Sequence, residues 1–284
     1  MKSLPAYLSL IRIHNCLMAS LGVAVGHYLS PGAGSPTKYI YAMAAAFFVC
    51  GFGNVVNDLL DIDSDRINHP ARPLPSGRLN CRQAVGLAAM FLILSLALMI
   101  PLNVSGRVIV MGALVLVTWY NLALKHTAFF GNVAVSLLAG FTFILGGAEG
   151  GYKTIAAMPG AAVGAALAFL MHLAREIVKD IEDQTGDATV GGGTAVLKFG
   201  SKTATAAVWL VFLALAAGSV GAYTAGWFNG VYLTLVLGLV VLPLGVMLGW
   251  MSLSPDRRRC RLVSIILKLQ MLIGTVALII GKQY

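Results

Sequence analysis

Apolar stretches of about 20 residues recur along the chain, separated by short links that contain glycine, proline or serine. An α-helix needs about 20 predominantly apolar residues to cross the hydrocarbon core of a bilayer. The hydrophobic pattern therefore predicts nine membrane-spanning helices. They are expected near residues 5–29, 39–59, 82–101, 106–124, 128–147, 155–178, 203–223, 228–250 and 262–281.

The composition supports a membrane protein. Hydrophobic residues make up 58% of the 284 positions and charged residues only 11%, against about 25% charged residues in a soluble domain. So little charge cannot cover a soluble protein of this size, so we expect one all-α membrane domain over residues 1–284. The first apolar stretch contains Arg12, His14 and Asn15 without a clear cleavage site, which argues against a cleavable signal peptide.

Positive charge is distributed unevenly among the links. The net charge is +9, and most Lys and Arg residues follow the second, fourth, sixth and eighth predicted helices. The positive-inside rule places these links and the amino terminus in the cytoplasm. We attribute the excess charge to an anionic leaflet of the cell membrane and expect no nucleic-acid partner. The residues concerned are Arg66, Arg72, Arg78, Arg82, Lys125, Lys198, Lys202, Arg257, Arg258, Arg259 and Arg261.

Nine of the 11 acidic residues fall into two groups at predicted cytoplasmic helix ends. Ligand-type side chains recur at steps of four, three and four in both groups, which places them on one face of a helix. The two groups lie 122 positions, or four predicted helices, apart. This indicates two pseudo-repeated four-helix halves plus one further helix. In sequence order, Asn54, Asp58, Asp61 and Asp65 correspond to Glu176, Asp180, Asp183 and Asp187.

Carboxylates at this spacing repel one another by a few tenths of a kcal/mol per pair, and desolvation near a membrane adds to the cost. A bound cation would offset both effects. Oxygen ligands without His or Cys are typical of hard cations, above all Mg²⁺, which also takes phosphate oxygens as ligands. The pattern therefore predicts a metal-bridged diphosphate site. The alternative, a pair of solvated helix ends, does not account for two groups with identical spacing.

These residues resemble the UbiA superfamily of intramembrane prenyltransferases. The family motif Asn-Asp-x-x-Asp-x-x-x-Asp is matched from Asn57 to Asp65, and residues 68–77 resemble the segment that follows it. The second motif is matched by Asp180, Asp183 and Asp187. Within the superfamily, residues 12–19, 120–125, 131–132 and 175–183 are most similar to the ether-lipid branch.

The resemblance implies Mg²⁺-dependent transfer of a geranylgeranyl or similar prenyl group from its diphosphate to geranylgeranylglyceryl phosphate, forming an ether-lipid precursor and diphosphate. Asp58, Asp61 and Asp65 would bind one ion, and Asp180, Asp183 and Asp187 a second. Tyr120 would face the developing carbocation. Phosphate contacts are expected from Arg72, Lys125 and Lys198. The other expected substrate-binding residues are Arg12, Asn15, Asn54, Asn57, Asn132, Glu176 and Lys179, with Arg12 as the partner of the acceptor phosphate.

Two other functions are compatible with the residues. An enzyme of the same superfamily could prenylate an aromatic acceptor, as in quinone or chlorophyll synthesis. A transporter would also contain repeats and intramembrane carboxylates. Ion pathways need polar groups near the middle of the membrane, whereas these acidic groups lie at helix ends, so the pattern favours the enzyme.

Overall fold

A computed structural model of the chain describes residues 4–32, 34–189 and 193–283, without the side chains of residues 126, 156 and 185–189. Regular secondary structure in this part of the chain is helical. The helices are α1 (Leu4–Leu10), α2 (Ile13–Leu29), α3 (Pro36–Leu60), α4 (Ile62–Asn68), α5 (Cys81–Met99), α6 (Val104–Leu122), α7 (Phe130–Ala148), α8 (Tyr152–Ala156), α9 (Ala161–Thr189), α10 (Ala195–Thr224), α11 (Gly230–Leu235), α12 (Leu242–Leu253) and α13 (Arg257–Gly281). A 3₁₀ turn (Leu124–His126) precedes α7, and a π-helical turn (Val236–Val241) joins α11 to α12.

Eight helical segments in the described residues are long and apolar enough to cross a membrane, with α11 and α12 counted as one segment. A ninth span results if α1 and α2, which meet at an angle of 54°, are counted together. The prediction of an all-α, polytopic bundle with about nine spans is confirmed. Several boundaries differ from those expected. The first helix is broken near its start, the sixth begins at Ala161 and continues to Thr189, and the seventh begins at Ala195 rather than near residue 203.

The break between α1 and α2 lies at Arg12, whose backbone is left-handed with φ 51° and ψ 62°. This conformation is uncommon for a residue with a side chain and costs on the order of 1–3 kcal/mol. The break frees the carbonyl group of Ile11, which accepts hydrogen bonds from Asn54 Nδ2 at 2.9 Å and Cys16 Sγ at 3.2 Å. Contacts with α3 and within α2 therefore stabilise the bend.

The two halves of the chain pack in the same order. In the first half α2 packs on α3 and α3 on α5, and in the second α7 packs on α9 and α9 on α10. Each half has its own hydrophobic core, and α13 contributes to the core of the second half. The predicted division into two four-helix halves plus one helix is confirmed.

Glycines join the two halves at the contact between α2 and α7. A Cβ atom added to Gly26 would lie 2.0 Å from the carbonyl oxygen of Phe143, and one added to Gly146 would lie 2.1 Å from that of Val23. Real Cβ atoms do not approach an oxygen so closely. The backbones of α2 and α7 therefore touch directly, as small residues permit in membrane bundles.

Candidate active site

A cavity of about 780 Å³ runs between the two halves of the bundle. One part of its wall is polar and carries residues from α2, α3, α6 and α9, whereas the remainder is lined by aliphatic and aromatic side chains of α6, α7, α9 and α13. This division suits an amphipathic ligand with a charged head and a long apolar tail. Of the residues predicted from the sequence, those that line it are Arg12, Asn15, Asn54, Asn57, Asp58, Arg72, Tyr120, Glu176 and Lys179.

The first acidic group is buried and balanced by arginines. Asp58 is 1% exposed and Asp65 is 4% exposed. Arg12 Nη2 lies 2.7 Å from Asp58 Oδ1. Arg72 Nη1 lies 2.6 Å from Asp65 Oδ2 and 3.6 Å from Asp58 Oδ1. Because unpaired charges are costly in a low-dielectric interior, these two guanidinium groups stabilise the ionised carboxylates.

The expected single helical face is interrupted in this group. Helix α3 ends at Leu60, and Asp61 is the residue between α3 and α4, with φ −99° and ψ 12°. Two backbone hydrogen bonds, from Asp61 N–H to Asn57 O and from Asp65 N–H to Asp61 O, continue the helical spacing across the junction. The side chain of Asp61 forms an ion pair with Lys125 and accepts a hydrogen bond from Asn57.

The second acidic group lies on the continuous helix α9. Asn132 Nδ2 of α7 donates a hydrogen bond of 2.9 Å to Asp180 Oδ2. Lys179 Nζ lies 3.5 Å from Asp183 Oδ2, and Arg175 Nη1 lies 2.5 Å from Glu176 Oε1. Glu176 and Lys179 line the cavity, whereas Asn132, Asp180 and Asp183 do not. The side chain of Asp187 is outside the described residues.

His69 connects the two acidic groups. It follows α4 directly, and its Nε2 atom lies 4.0 Å from Asp183 Oδ1 on α9. Burial and the positive charge of Arg72 lower the pKa of His69, and the charge of Asp183 opposes this shift. The imidazole is therefore neutral near pH 7. Contacts between α4 and α9 bring the matching acidic groups of the two halves to one end of the cavity.

The acidic residues have the ligand chemistry of a metal site, but those that the structure describes do not form a preformed metal site. In the described part of the chain, no three His, Cys, Asp or Glu side chains lie close enough to hold a metal ion. The carboxylates instead contact cationic groups of Arg12, Arg72, Lys125 and Lys179. Their ligand atoms are carboxylate and amide oxygens, the type that Mg²⁺ prefers. The donor set fits Mg²⁺.

Tyr120 and Lys198, two further residues predicted for the site, lie in different places. Tyr120 lines the cavity, where the charges of Glu176, Asp180 and Asp61 act on it. Lys198 does not line it. This lysine is exposed near the start of α10, and its ammonium group lies 5.6 Å from the ring centroid of Phe199. The expected contact between Lys198 and a phosphate in the cavity is therefore not seen.

Four basic residues that line the cavity were not predicted as site residues: His14, His172, Arg175 and Lys268. A signal for Lys268 was present, because it is the only charged residue within the predicted span 262–281, and an intramembrane charge indicates a functional site. Arg175 adjoins the second acidic group in the sequence. His14 was considered only as evidence against a signal peptide.

Comparisons with known proteins agree with this geometry. Residues 17–272 match the UbiA prenyltransferase family. Digeranylgeranylglyceryl phosphate synthase of Methanocaldococcus jannaschii is 36% identical over 99% of this chain and 97% of its own length. The enzyme of the same name from Methanopyrus kandleri is 37% identical over 82% of this chain and 83% of its own.

Solved structures share the fold. A structure described as digeranylgeranylglyceryl phosphate synthase in membranes has a TM-score of 0.77 and 32% identity, covering 99% of both chains. A UbiA homologue from Archaeoglobus fulgidus, bound to DMAPP and Mg²⁺, has a TM-score of 0.67 at 18% identity and covers 96% of this chain and 98% of its own.

Proposed function

The chain belongs to the UbiA prenyltransferase family, and we propose that it transfers a geranylgeranyl group to the free hydroxyl group of geranylgeranylglyceryl phosphate. One observation carries the proposal: a single cavity combines a polar wall next to two acidic groups with an extended apolar wall. Full-length similarity to relatives named for this reaction supports it. The transporter alternative is set aside, because the family consists of prenyltransferases.

The acidic groups would hold the diphosphate of the donor through two Mg²⁺ ions. Asp58, Asp61 and Asp65 would bind one, and Asp180, Asp183 and Asp187 the other. When bound, Mg²⁺ neutralises the charge that develops on the leaving diphosphate. Arg72 and Lys125 already contact these carboxylates, so both cations lie where they can also bind phosphate oxygens. Asn132 holds the Asp180 carboxylate in a fixed orientation.

The apolar wall would bind the prenyl chains and exclude water from the reacting carbon. The C1–O bond of the allylic donor would break as positive charge develops on C1, the acceptor hydroxyl oxygen would form the new bond to C1, and the hydroxyl proton would pass to the released diphosphate. Water in the cavity would compete with the acceptor, so an apolar enclosure protects the reaction. The ring of Tyr120 lies at the polar end of the cavity, where its π face would stabilise the positive charge.

We also propose that the active site opens towards the cytoplasm. Arg66 and Arg72 follow the end of α3, which carries Asp58, and Lys125 follows the end of α6 and pairs with Asp61. Arg257, Arg258 and Arg259 begin α13. The positive-inside rule places these ends in the cytoplasm. A prenyl diphosphate and a phosphorylated acceptor would therefore enter the site from the cytoplasmic side of the membrane.

The acceptor decides between this function and prenylation of an aromatic ring. Purified protein would be incubated with labelled geranylgeranyl diphosphate and Mg²⁺, together with geranylgeranylglyceryl phosphate or with 4-hydroxybenzoate. We expect labelled ether lipid from the first incubation and no product from the second, and chelation of Mg²⁺ should abolish the reaction. Product from the aromatic acid alone would refute the proposal.

A further inference from the structure

Three basic side chains line the cavity beside the acidic groups: Lys268 of α13, Arg175 of α9 and His14 of α2. Arg175 and Arg12 act most strongly on Lys268 and repel it, whereas Glu176 attracts it more weakly. Lys268, Arg12 and Arg175 also act on His14. This part of the wall is therefore electropositive and differs from the aspartate-rich wall.

Lys268 lies deep within its helix. It is the twelfth residue of α13 (Arg257–Gly281), which places it about 17 Å from the helix start at a rise of about 1.5 Å per residue. Its side chain is exposed, and it lines the cavity. Among the described residues, no carboxylate forms an ion pair with it. A charge at such depth is costly and usually serves a ligand or a pathway.

The two neighbouring arginines already form ion pairs with carboxylates. Arg12 binds Asp58, and one nitrogen of Arg175 binds Glu176. The Nε atom of Arg175 is buried and has no hydrogen-bond partner among the described residues. Buried donors without a partner are uncommon in native proteins and call for an explanation. Lys268 and Arg175 thus provide donors for an anion that the protein itself does not supply.

We propose that Lys268, supported by Arg175, binds the phosphomonoester group of the prenyl acceptor. A phosphomonoester carries a charge of about −1.5 to −2 at pH 7 and three acceptor oxygens, and it forms strong charge-assisted hydrogen bonds with Lys and Arg. Arg12 pairs with Asp58, and its charge also acts on Lys268. The proposed phosphate position would therefore lie near the diphosphate site, so that the two substrates are adjacent. This inference rests on the proposed function.

A phosphate group bound by Lys268 could also belong to the donor or to released diphosphate. Two acceptors separate these sources: geranylgeranylglyceryl phosphate and the neutral geranylgeranylglycerol. Lys268→Gln should raise the KM for the phosphorylated acceptor at least tenfold, a change of 1.4 kcal/mol. The KM for geranylgeranyl diphosphate and the rate with the neutral acceptor should not change. Lys268→Arg should retain much of the affinity.

Lys202→Gln is the matched control, because Lys202 is exposed near the start of α10 and does not line the cavity. It should leave both KM values and the rate with the neutral acceptor unchanged. A loss that is equal for both acceptors in Lys268→Gln would show a structural role and overturn the inference. A raised KM for the donor, or weaker inhibition by diphosphate, would assign the lysine to the diphosphate site and would also overturn it.

A binding measurement without turnover completes the test. The thermal shift caused by geranylgeranylglyceryl phosphate or by geranylgeranyl monophosphate would be recorded in the presence of a metal chelator. We expect both compounds to raise the melting temperature of the wild type and to lose this effect in Lys268→Gln. A wild type that binds the monophosphate through Lys268 but prenylates only an aromatic acid would refute the proposed function and retain the phosphomonoester site. Equal shifts in wild type and Lys268→Gln would overturn the site.

Discussion

Replacement of Gly26 by alanine tests the joint between the two halves. The new Cβ atom would lie 2.0 Å from the carbonyl oxygen of Phe143, whereas ordinary contacts begin at 3.4 Å. The backbones of α2 and α7 would have to separate by about 1.4 Å to restore a normal contact. A gap of about 0.5–1 Å already removes a quarter to a half of each contact energy along the interface. Overpacking of this kind costs about 1–3 kcal/mol.

We expect the melting temperature of Gly26→Ala in detergent to fall by about 2–12 °C, since 1 kcal/mol corresponds to about 2–4 °C in domains of 150–250 residues. Gly112→Ala is the control, because a Cβ atom at Gly112 would meet no atom within 4 Å. Its melting temperature should stay within about 2 °C of the wild type. Equal melting temperatures for both variants and the wild type would refute the reasoning that direct backbone contact joins the halves.

Three further substitutions probe the site and its surroundings. Asp61→Asn removes a carboxylate that pairs with Lys125. We expect kcat to fall about 100-fold with folding retained, because a charged contact is worth about 1.5–3 kcal/mol. Unchanged turnover at saturating Mg²⁺ would contradict the role of Asp61 in metal binding. Asn132→Leu removes the donor to Asp180 and should raise the Mg²⁺ concentration for half-maximal activity about tenfold, as a metal titration would detect. Glu149→Gln keeps an acceptor for the Asn103 N–H at the far end of α7. It should change stability by about 1 kcal/mol at most and leave kcat unaltered.

The overall fold was predictable from the sequence because hydrophobic length is a strong constraint in a bilayer. The apolar stretches predicted about nine spans. The acidic groups that contain Asp58 and Asp180 have the same residue spacing, which predicted two related halves. Both predictions depend on local composition and on sequence spacing. Neither requires knowledge of which helices touch.

The local backbone at the site was less predictable. The break at Arg12 has no signal in the adjacent residues, because it is stabilised by Asn54 and Asp58 of another helix. The same applies to the junction at Asp61, which ends α3 where a continuous helix was expected. The contact of Lys125 with Asp61 was not predicted either. These features depend on tertiary contacts that a single sequence does not specify.

The last helix contains a sequence signal for a site residue that the acidic motifs do not include. Lys268 is a lone charge in an apolar span, which is costly unless a cavity or ligand receives it. The pseudo-repeat covers the first eight predicted helices, and α13 lies outside it. The structure places Lys268 and Arg175 on the wall of the same cavity.

A competition between acceptors tests the central claim most directly. Purified protein would receive geranylgeranyl diphosphate, Mg²⁺ and equal concentrations of geranylgeranylglyceryl phosphate and 4-hydroxybenzoate, and the products would be identified by mass spectrometry. We expect digeranylgeranylglyceryl phosphate and diphosphate as the products. A prenylated aromatic acid as the main product would contradict the proposed function.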